Sequence, residues 1–350
     1  MTSITKKYLI NGPNNVIRLT DGVKVLYIFG DYHLELHNQT ECIYNDKYDS
    51  MDIDKFLLSF MRNNKNIKYD IFHEINDFLY NEYNNNTNYY YKKRYIDNIN
   101  KLFQNNIKNK YTNFKFHYMD FRQNLFLYNI LKNYNNDYIY NNHYTDKQII
   151  FLFNDYIKLF KLFIKSLNKN KYIQKILNKY NNPNIKKKIN EIYNLLIKNY
   201  KLILQNINNL IKFIKLNYNN KIINTYYENI DPQIEIYLNT IFELFFQICI
   251  VLTDLYFIRR FLDKKYINNG ILYTGHAHMS NISYLLVKYF NYKITHINYL
   301  PKNIDINDYI IKLSNKNVYI FPLSDLLTKK INNDKIYQCT DLFNFPNNFT

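Results

Sequence analysis

The 350-residue sequence has no tryptophan, a single alanine (Ala277), six arginines, 5 glycines, 6 prolines and 3 cysteines. The cysteines, Cys42, Cys249 and Cys339, are an odd and scattered set. They predict neither a disulfide framework nor a cysteine-based zinc site, and they point to a reducing compartment. Met1 to Arg18 lacks the apolar core and small-residue cleavage site of a signal peptide, so the expected location is cytoplasmic. No long apolar run is uninterrupted. The most apolar stretch, Ile241 to Ile258, contains Glu243, Gln247 and Asp254 and reads as a buried helix, so no membrane span is expected.

What is abundant is tyrosine (38), phenylalanine (25), asparagine, isoleucine and lysine, the output of an extremely AT-rich code. Against that background an alanine, glycine or arginine that survives carries more information than usual. At 47% hydrophobic, the chain has enough apolar residues for a large core, which excludes disorder throughout. The formal charge of +17 raises nucleic acid and anionic membranes as partners. The lysines interleave with Asn and Ile and form no arginine-rich stripe, so the charge is expected to be dispersed and nucleic acid is disfavoured.

The chain reads as sheet, long helical segment, sheet. Val23 to Phe29 is a continuous β-branched and aromatic run that stops at Gly30. Asp52 to Met61 has helical spacing. Tyr69 to Phe72 is a second strand-like run, stopping at His73-Glu74, and Phe114 to Met119 is a third, stopping at Asp120-Phe121-Arg122. Asn81 to Tyr91 reads as an Asn-rich loop. From about 145 to 264 apolar residues recur at three- and four-residue spacing, with breaks at Pro183 and Pro232. Strands return at Ile271 to Thr274, Lys293 to Ile297 and Val318 to Phe321, with an apolar helix at Ile282 to Phe290. The expected architecture is one α/β domain over 1–350: a central sheet with helices on its faces. Residues 20–144 and 265–350 form the sheet, and 145–264 a helical insertion or lid.

Each early strand delivers ionisable residues at its carboxyl end, where ligands collect in open α/β sheets. Two of these ends read Gly-x-x-His: Gly30-Asp31-Tyr32-His33 and Gly275-His276-Ala277-His278. With 5 glycines and 8 histidines, chance places only about 0.1 such pairs in the chain. Glycine lets the backbone turn tightly or approach a ligand closely, so the following imidazole can project as a metal ligand or proton carrier. Glu74 closes an apolar run, where a carboxylate is costly to bury without a cation, and reads as metal ligand or general base. Its neighbour His73 points to the opposite face and reads as packing. Asp120 and Arg122 form either a salt bridge or a pair that holds an anionic group. Asp254 and Arg259 lie on the apolar helix ahead of the second turn. Arg259 would stabilise a developing oxyanion or orient Glu74, while Arg260 faces another direction.

These residues together resemble the TraB/TIKI superfamily, related to the erythromycin esterase-like and ChaN-like proteins. The shared pattern is a strand ending in Gly-x-x-His, a Glu closing the next strand, and an Arg-bearing helix before a second Gly-x-x-His. Here it falls on Gly30 to His33, Glu74, Arg259 and Gly275 to His278, and it covers roughly 20–125 and 240–325. Two departures stand out: Arg259-Arg260 replaces the usual Arg-Asn, and no anchor or signal is seen. The resemblance implies hydrolysis of a peptide or small-molecule ester. A divalent metal (manganese, cobalt or zinc) held by His33, Glu74 and His278, with His276 and Asp31 as further ligands, would leave a position open for water. Without metal, a His–Glu pair would activate water directly. The composition is similar to that of a large DNA virus or a similarly biased microbe; a viral source would place the protein in host cytoplasm or virion. The rival readings are a catalytically inactive interaction protein of the same fold and a basic nucleic-acid-binding protein.

Overall fold

The computed structural model describes residues 8–39, 42, 47–74, 94–104, 112–125, 143–226, 229–313, 323–330, 336–346 and 349. The chain divides into two compact units: Met1–Asp120 with Arg260–Thr350, and Phe121–Arg259.

The first unit is built on a six-stranded sheet. In chain order its elements are β1 (Leu9–Asn11), β2 (Asn15–Thr20), β3 (Val25–Asp31), β4 (Ser50–Asp52), α1 (Ile53–Asn63), β5 (Tyr69–His73), α2 (Tyr95–Gln104) and β6 (Phe114–Tyr118). The main sheet is completed by strands from the end of the chain and runs β10-β2-β3-β9-β5-β6, where β9 is Asn269–Gly275 and β10 is Lys293–Ile297. Strands β3, β9, β5 and β6 are mutually parallel, and β2 runs antiparallel between β3 and β10. The expected strands at 23–29, 69–72, 114–119, 271–274 and 293–297 are therefore present. Of these, β3, β9 and β5 are inner strands buried on both faces, which is why they read as apolar runs, while β10 and β6 form the two edges of the sheet. The expected strand at 318–321 and the loop at 81–91 lie outside the described residues.

On one face of this sheet Tyr27, Phe29, Ile71, Ile271 and Tyr273 pack with Leu57, Phe60 and Met61 of α1 and Ile99 of α2. A second, three-stranded sheet, β11-β1-β4, uses Cys339–Asp341 as β11. Here the structure corrects the sequence reading, because Cys42 and Cys339 are joined in a disulfide with a Cα–Cα distance of 5.2 Å. Their sequence separation of 297 hid the pairing, since nothing local to either cysteine signals it.

The second unit is helical, as the spacing predicts: α3 (Asp146–Leu167), α4 (Lys171–Asn178), α5 (Pro183–Asn217) and most of α6 (Pro232–Asp263), with a small hairpin of β7 (His143–Thr145) and β8 (Ile222–Asn224). Thr145 and Gln148 close a capping box at the start of α3, and Asn170 and Asn182 cap α4 and α5. Pro183 and Pro232 are the first residues of α5 and α6, where a missing N–H costs nothing. The core joins Tyr156, Phe160 and Phe163 of α3 to Phe242 and Phe245 of α6 through edge-on ring contacts of 5.5–6.3 Å. Helix α6 is long and apolar enough to cross a membrane, but 78% of its most apolar window is buried inside the protein, as the interrupted run at 241–258 predicts.

Back in the first unit, β9 leads directly into α7 (His276–Phe290); α8 (Ile306–Lys312) and α9 (Ser324–Leu327) complete the helices. Helix α7 begins six residues earlier than the apolar run at 282 indicates, so the second Gly-x-x-His is the first turn of a helix. Gly275 is its N-cap, with an extended backbone (φ −62°, ψ 150°). Glycine is a weaker cap signal than Ser, Thr, Asp or Asn, and the boundary was invisible for that reason.

Candidate active site

Three neighbouring parallel strands, β3, β9 and β5, end side by side, with Asp31 opposite Gly275 and His73 opposite Tyr273. Just beyond those ends His33, Glu74 and His278 come together. Glu74 is the hub. Its Oε2 accepts from the Gly275 backbone N–H at 2.6 Å and from the Thr274 hydroxyl at 2.8 Å, and lies 3.3 Å from His33 Nε2. Its Oε1 lies 3.0 Å from His278 Nε2. A carboxylate at the first N–H groups of a helix also gains from the positive end of the helix dipole.

His33 is held from behind. Its Nδ1 contacts Asp31 Oδ1, its backbone N–H donates to the same oxygen at 2.8 Å, and the Tyr273 hydroxyl donates to Asp31 Oδ2. His33 itself has a left-handed backbone, φ 52°, which is uncommon for a residue with a side chain and is stabilised here by that Asx-type bond. The neutral-imidazole tautomers are thereby fixed or abolished. With a carboxylate at each nitrogen, the ring is held as a cation.

The electrostatics follow from this packing. Burial alone would lower the His33 pKa, but Asp31 and then Glu74 outweigh it and push it up to about 10. Burial alone would raise Glu74, but His278 and His33 hold it well below the usual carboxylate range. Burial drives the Tyr273 hydroxyl well above its ordinary value, with Asp31 adding to the rise, so it stays a donor. His33 is the most exposed of the three: its side chain is 25% exposed, against 6% for Glu74 and 3% for His278.

The two glycines serve close approach, and neither has a positive φ. A Cβ on Gly275 would sit 3.0 Å from His33 Nε2 and 3.2 Å from Glu74 Oε2, inside the cluster. One on Gly30 would meet Met279 Sδ of α7 at 2.6 Å.

The other expected residues go elsewhere. His276 is not in the cluster: its Nε2 lies 3.1 Å from the Ser324 carbonyl and 3.0 Å from the Thr328 hydroxyl, and its ring stacks on Tyr32 at 4.9 Å. Successive helix positions diverge by about 100°, so His276 and His278 cannot share a target. Its role as a further ligand is therefore corrected to that of a tether between the first turn and α9. Tyr32 also reaches Thr328, with 2.6 Å between their hydroxyl oxygens. His73 packs on the face opposite, as expected, with its ring 6.1 Å from Tyr273. Burial lowers its pKa to about 3, helped by the nearby His33 charge. Asp120 ends the first unit's segment, and Arg122 opens a 3-10 turn in the second. Asp254 is fully buried on α6. Arg259 donates its Nε–H to the Lys179 carbonyl at 3.0 Å and lies over the Tyr180 ring. Sequence reasoning missed Tyr273 and Thr274. The available signal was two hydroxyl side chains closing an otherwise apolar strand.

His33, His278 and Glu74 are the donors that a cation would use. As placed, both imidazole Nε2 atoms face Glu74 oxygens, and Oε2 also takes an N–H and an O–H. Among the described residues no trio of His, Cys, Asp or Glu encloses a metal-sized point.

The model of a family of unknown function, DUF5847, matches the sequence over residues 8–171 and 164–350. Two uncharacterised proteins of Acanthamoeba polyphaga mimivirus, R161 and R706, are 29% and 27% identical over 100% and 97% of both chains. A third from that virus, R160, is 44% identical over 28% of this chain and 21% of its own. These relatives belong to a large DNA virus, in keeping with the composition. No solved structure matches.

Proposed function

For this chain, which belongs to the DUF5847 family, we propose a hydrolase whose reaction centre is His33, Glu74 and His278, acting on a peptide or ester carbonyl. The observation that carries the reading is one buried carboxylate held between two imidazoles at the ends of three parallel strands. The resemblance of the two Gly-x-x-His turns and Glu74 to the TraB/TIKI pattern supports the same chemistry. In this mechanism a water gives up a proton to the imidazole of His278, which Glu74 orients from its Nε2 side, as the water oxygen attacks the carbonyl carbon. His33, cationic and the most exposed of the three, stabilises the oxyanion and protonates the leaving group, a role the sequence offered to Arg259. Asp31 and Tyr273 fix the His33 ring and its charge.

Glu74 Oε2 accepts from the Gly275 N–H and the Thr274 hydroxyl, so a cation held by His33, Glu74 and His278 would share that oxygen with two hydrogen bonds. Whether manganese, cobalt or zinc binds is decided by elemental analysis of the purified protein against a His33→Ala, His278→Ala variant. Of the two expected locations, host cytoplasm and virion, the Cys42–Cys339 bond fits the oxidising one. The decisive experiment compares wild type with Glu74→Gln on a panel of ester and peptide substrates, with and without manganese. Turnover that disappears in a variant with unchanged melting supports the proposal. No turnover by wild type on any substrate, with a variant that melts substantially earlier, makes Glu74 a structural ion-pair partner and the protein an interaction module.

A further inference from the structure

The positive charge is not dispersed. Residues 146–226, spanning α3, α4, α5 and β8, hold 16 lysines and no arginine against three acids, Asp146, Asp155 and Glu191, so this segment carries +13 of the chain's +17. The other 269 residues share +4. One code bias acts on the whole chain, so it does not account for a segment rich in lysine and poor in acids. Two of the three acids are also engaged: Asp146 is buried and accepts from the Asn220 N–H, and Asp155 is paired with Lys158 at 2.8 Å.

The alternation of lysine with isoleucine, which looks like dispersal in sequence, is segregation in space. On α5 Ile189, Ile192, Leu196, Ile203, Ile207, Leu210 and Ile214 are buried, while Lys187, Lys198, Lys201, Lys212 and Lys215 are exposed. At 3.6 residues per turn these five lysines fall on one face about 42 Å long. Helix α3 repeats the design with exposed Lys147, Lys158, Lys161 and Lys165 opposite buried Ile149, Phe153, Phe160 and Phe163. Each lysine face also presents large apolar side chains to solvent: Phe151 and Leu162 on α3, Leu202 and Leu216 on α5. Four residues past the end of α5, Lys221 is followed by exposed Ile222.

We propose that the lysine faces of α3 and α5 dock the helical unit on an anionic phospholipid surface, with Phe151, Leu162, Leu202 and Leu216 entering the headgroup layer. Lysines interleaved with exposed aliphatic residues suit an interface that is charged outside and apolar beneath. The segment has no arginine for base-edge contacts, and its exposed apolar side chains are mostly aliphatic, which suit an acyl-chain boundary better than base stacking. The helices lie on the surface and do not span it.

The test is co-sedimentation of the full chain with phosphatidylcholine vesicles with and without about one-third phosphatidylserine, from about 0.1 M to 1 M salt. Binding to the anionic vesicles only, weakened at least about tenfold by salt, is expected. A variant carrying Lys158→Glu, Lys161→Glu, Lys198→Glu and Lys212→Glu should lose binding while keeping its helical circular dichroism and melting point. The pair Leu162→Ser, Leu216→Ser should retain weak binding at low salt and lose what persists at high salt. No binding to either vesicle, or equal binding to both, overturns the proposal. So does tighter binding to a duplex oligonucleotide that the serine variant leaves unchanged, which would assign the surface to nucleic acid.

Discussion

The two Gly-x-x-His segments share a sequence pattern and a place at the end of neighbouring parallel strands, yet they work differently. After Gly30 the chain leaves β3 irregularly, His33 adopts a left-handed backbone, and its ring stays a quarter exposed while braced by Asp31 and Tyr273. After Gly275 the chain enters a helix, so His276 is turned away to Ser324 and Thr328 while His278 is carried to Glu74, almost fully buried. One turn makes the reachable group and the other makes its buried counterpart. A repeated motif marks where a site is, while the backbone that follows each copy decides what each histidine does.

The strongest way to break this comparison is at the glycines. Gly275→Ala places a methyl against His33 Nε2 and Glu74 Oε2, and its φ of −62° suits alanine, so the fold should survive while the cluster is pushed apart. Turnover should fall on the order of 100-fold, the usual result of misplacing catalytic groups by about an ångström. Gly30→Ala strikes the flexible end of Met279 instead, and should cost about 1–3 kcal/mol of stability with kcat nearly unchanged. Steady-state kinetics and thermal melts of both variants separate the two uses; equal kinetic defects would contradict the distinction.

A second contrast separates the two histidines of α7. His278→Ala removes a partner of buried Glu74 and should lower kcat at least about 10-fold while costing about 1–3 kcal/mol. His276→Ala loses its contacts with Ser324 and Thr328 and should cost about 1 kcal/mol with little change in kcat. Chemical denaturation beside kinetics reads both, and a larger kinetic loss in His276→Ala would return it to the reaction centre.

Most of the main sheet was legible, because β3, β5 and β9 are buried on both faces and read as apolar blocks. The inner strand β2 was not, because Arg18 in the run Val16-Ile17-Arg18-Leu19 breaks both the apolar block and the alternation. Nor were β1 and β11 of the second sheet, three-residue strands whose pairing joins residues far apart in the chain. The disulfide was hidden by the same distance. In the site, His33, Glu74 and His278 were readable because each follows a strand end. The bracing by Tyr273 and Thr274 was not, because hydroxyl side chains closing a strand are common and their partners are fixed only by the pairing of β9 with β3 and β5. The division of labour between His276 and His278 depends on a helix boundary that a glycine cap does not announce.

The two histidines on either side of Glu74's strand end also differ in the sign of their pH dependence. His73 sits behind the cluster with its pKa lowered to about 3, below its unfolded value of 6.5. Its contribution to stability is therefore complete above pH 6.5 and is lost as pH falls towards 3, by at most about 1.4 kcal/mol per pH unit. His33 has the opposite sign: raised to about 10, its contribution is complete below pH 6.5 and fades as pH rises through 10. His73→Phe should flatten the acid limb of a melting-temperature profile and leave the alkaline limb unchanged. A variant that flattens neither limb would show that His73 is not the acid-sensitive group.

Glu74 joins the two turns into one charged unit, and the protonation of His33 reports it directly. Nitrogen chemical shifts of the His33 imidazole, followed by NMR across pH, should show both ring nitrogens protonated at neutral pH and a midpoint displaced far above 6.5, towards 10. Glu74→Gln should move that midpoint back down while Asp31 keeps it above 6.5. A His33 that titrates near 6.5 in the wild type and ignores Glu74→Gln would mean that the two turns are neighbours without being a site.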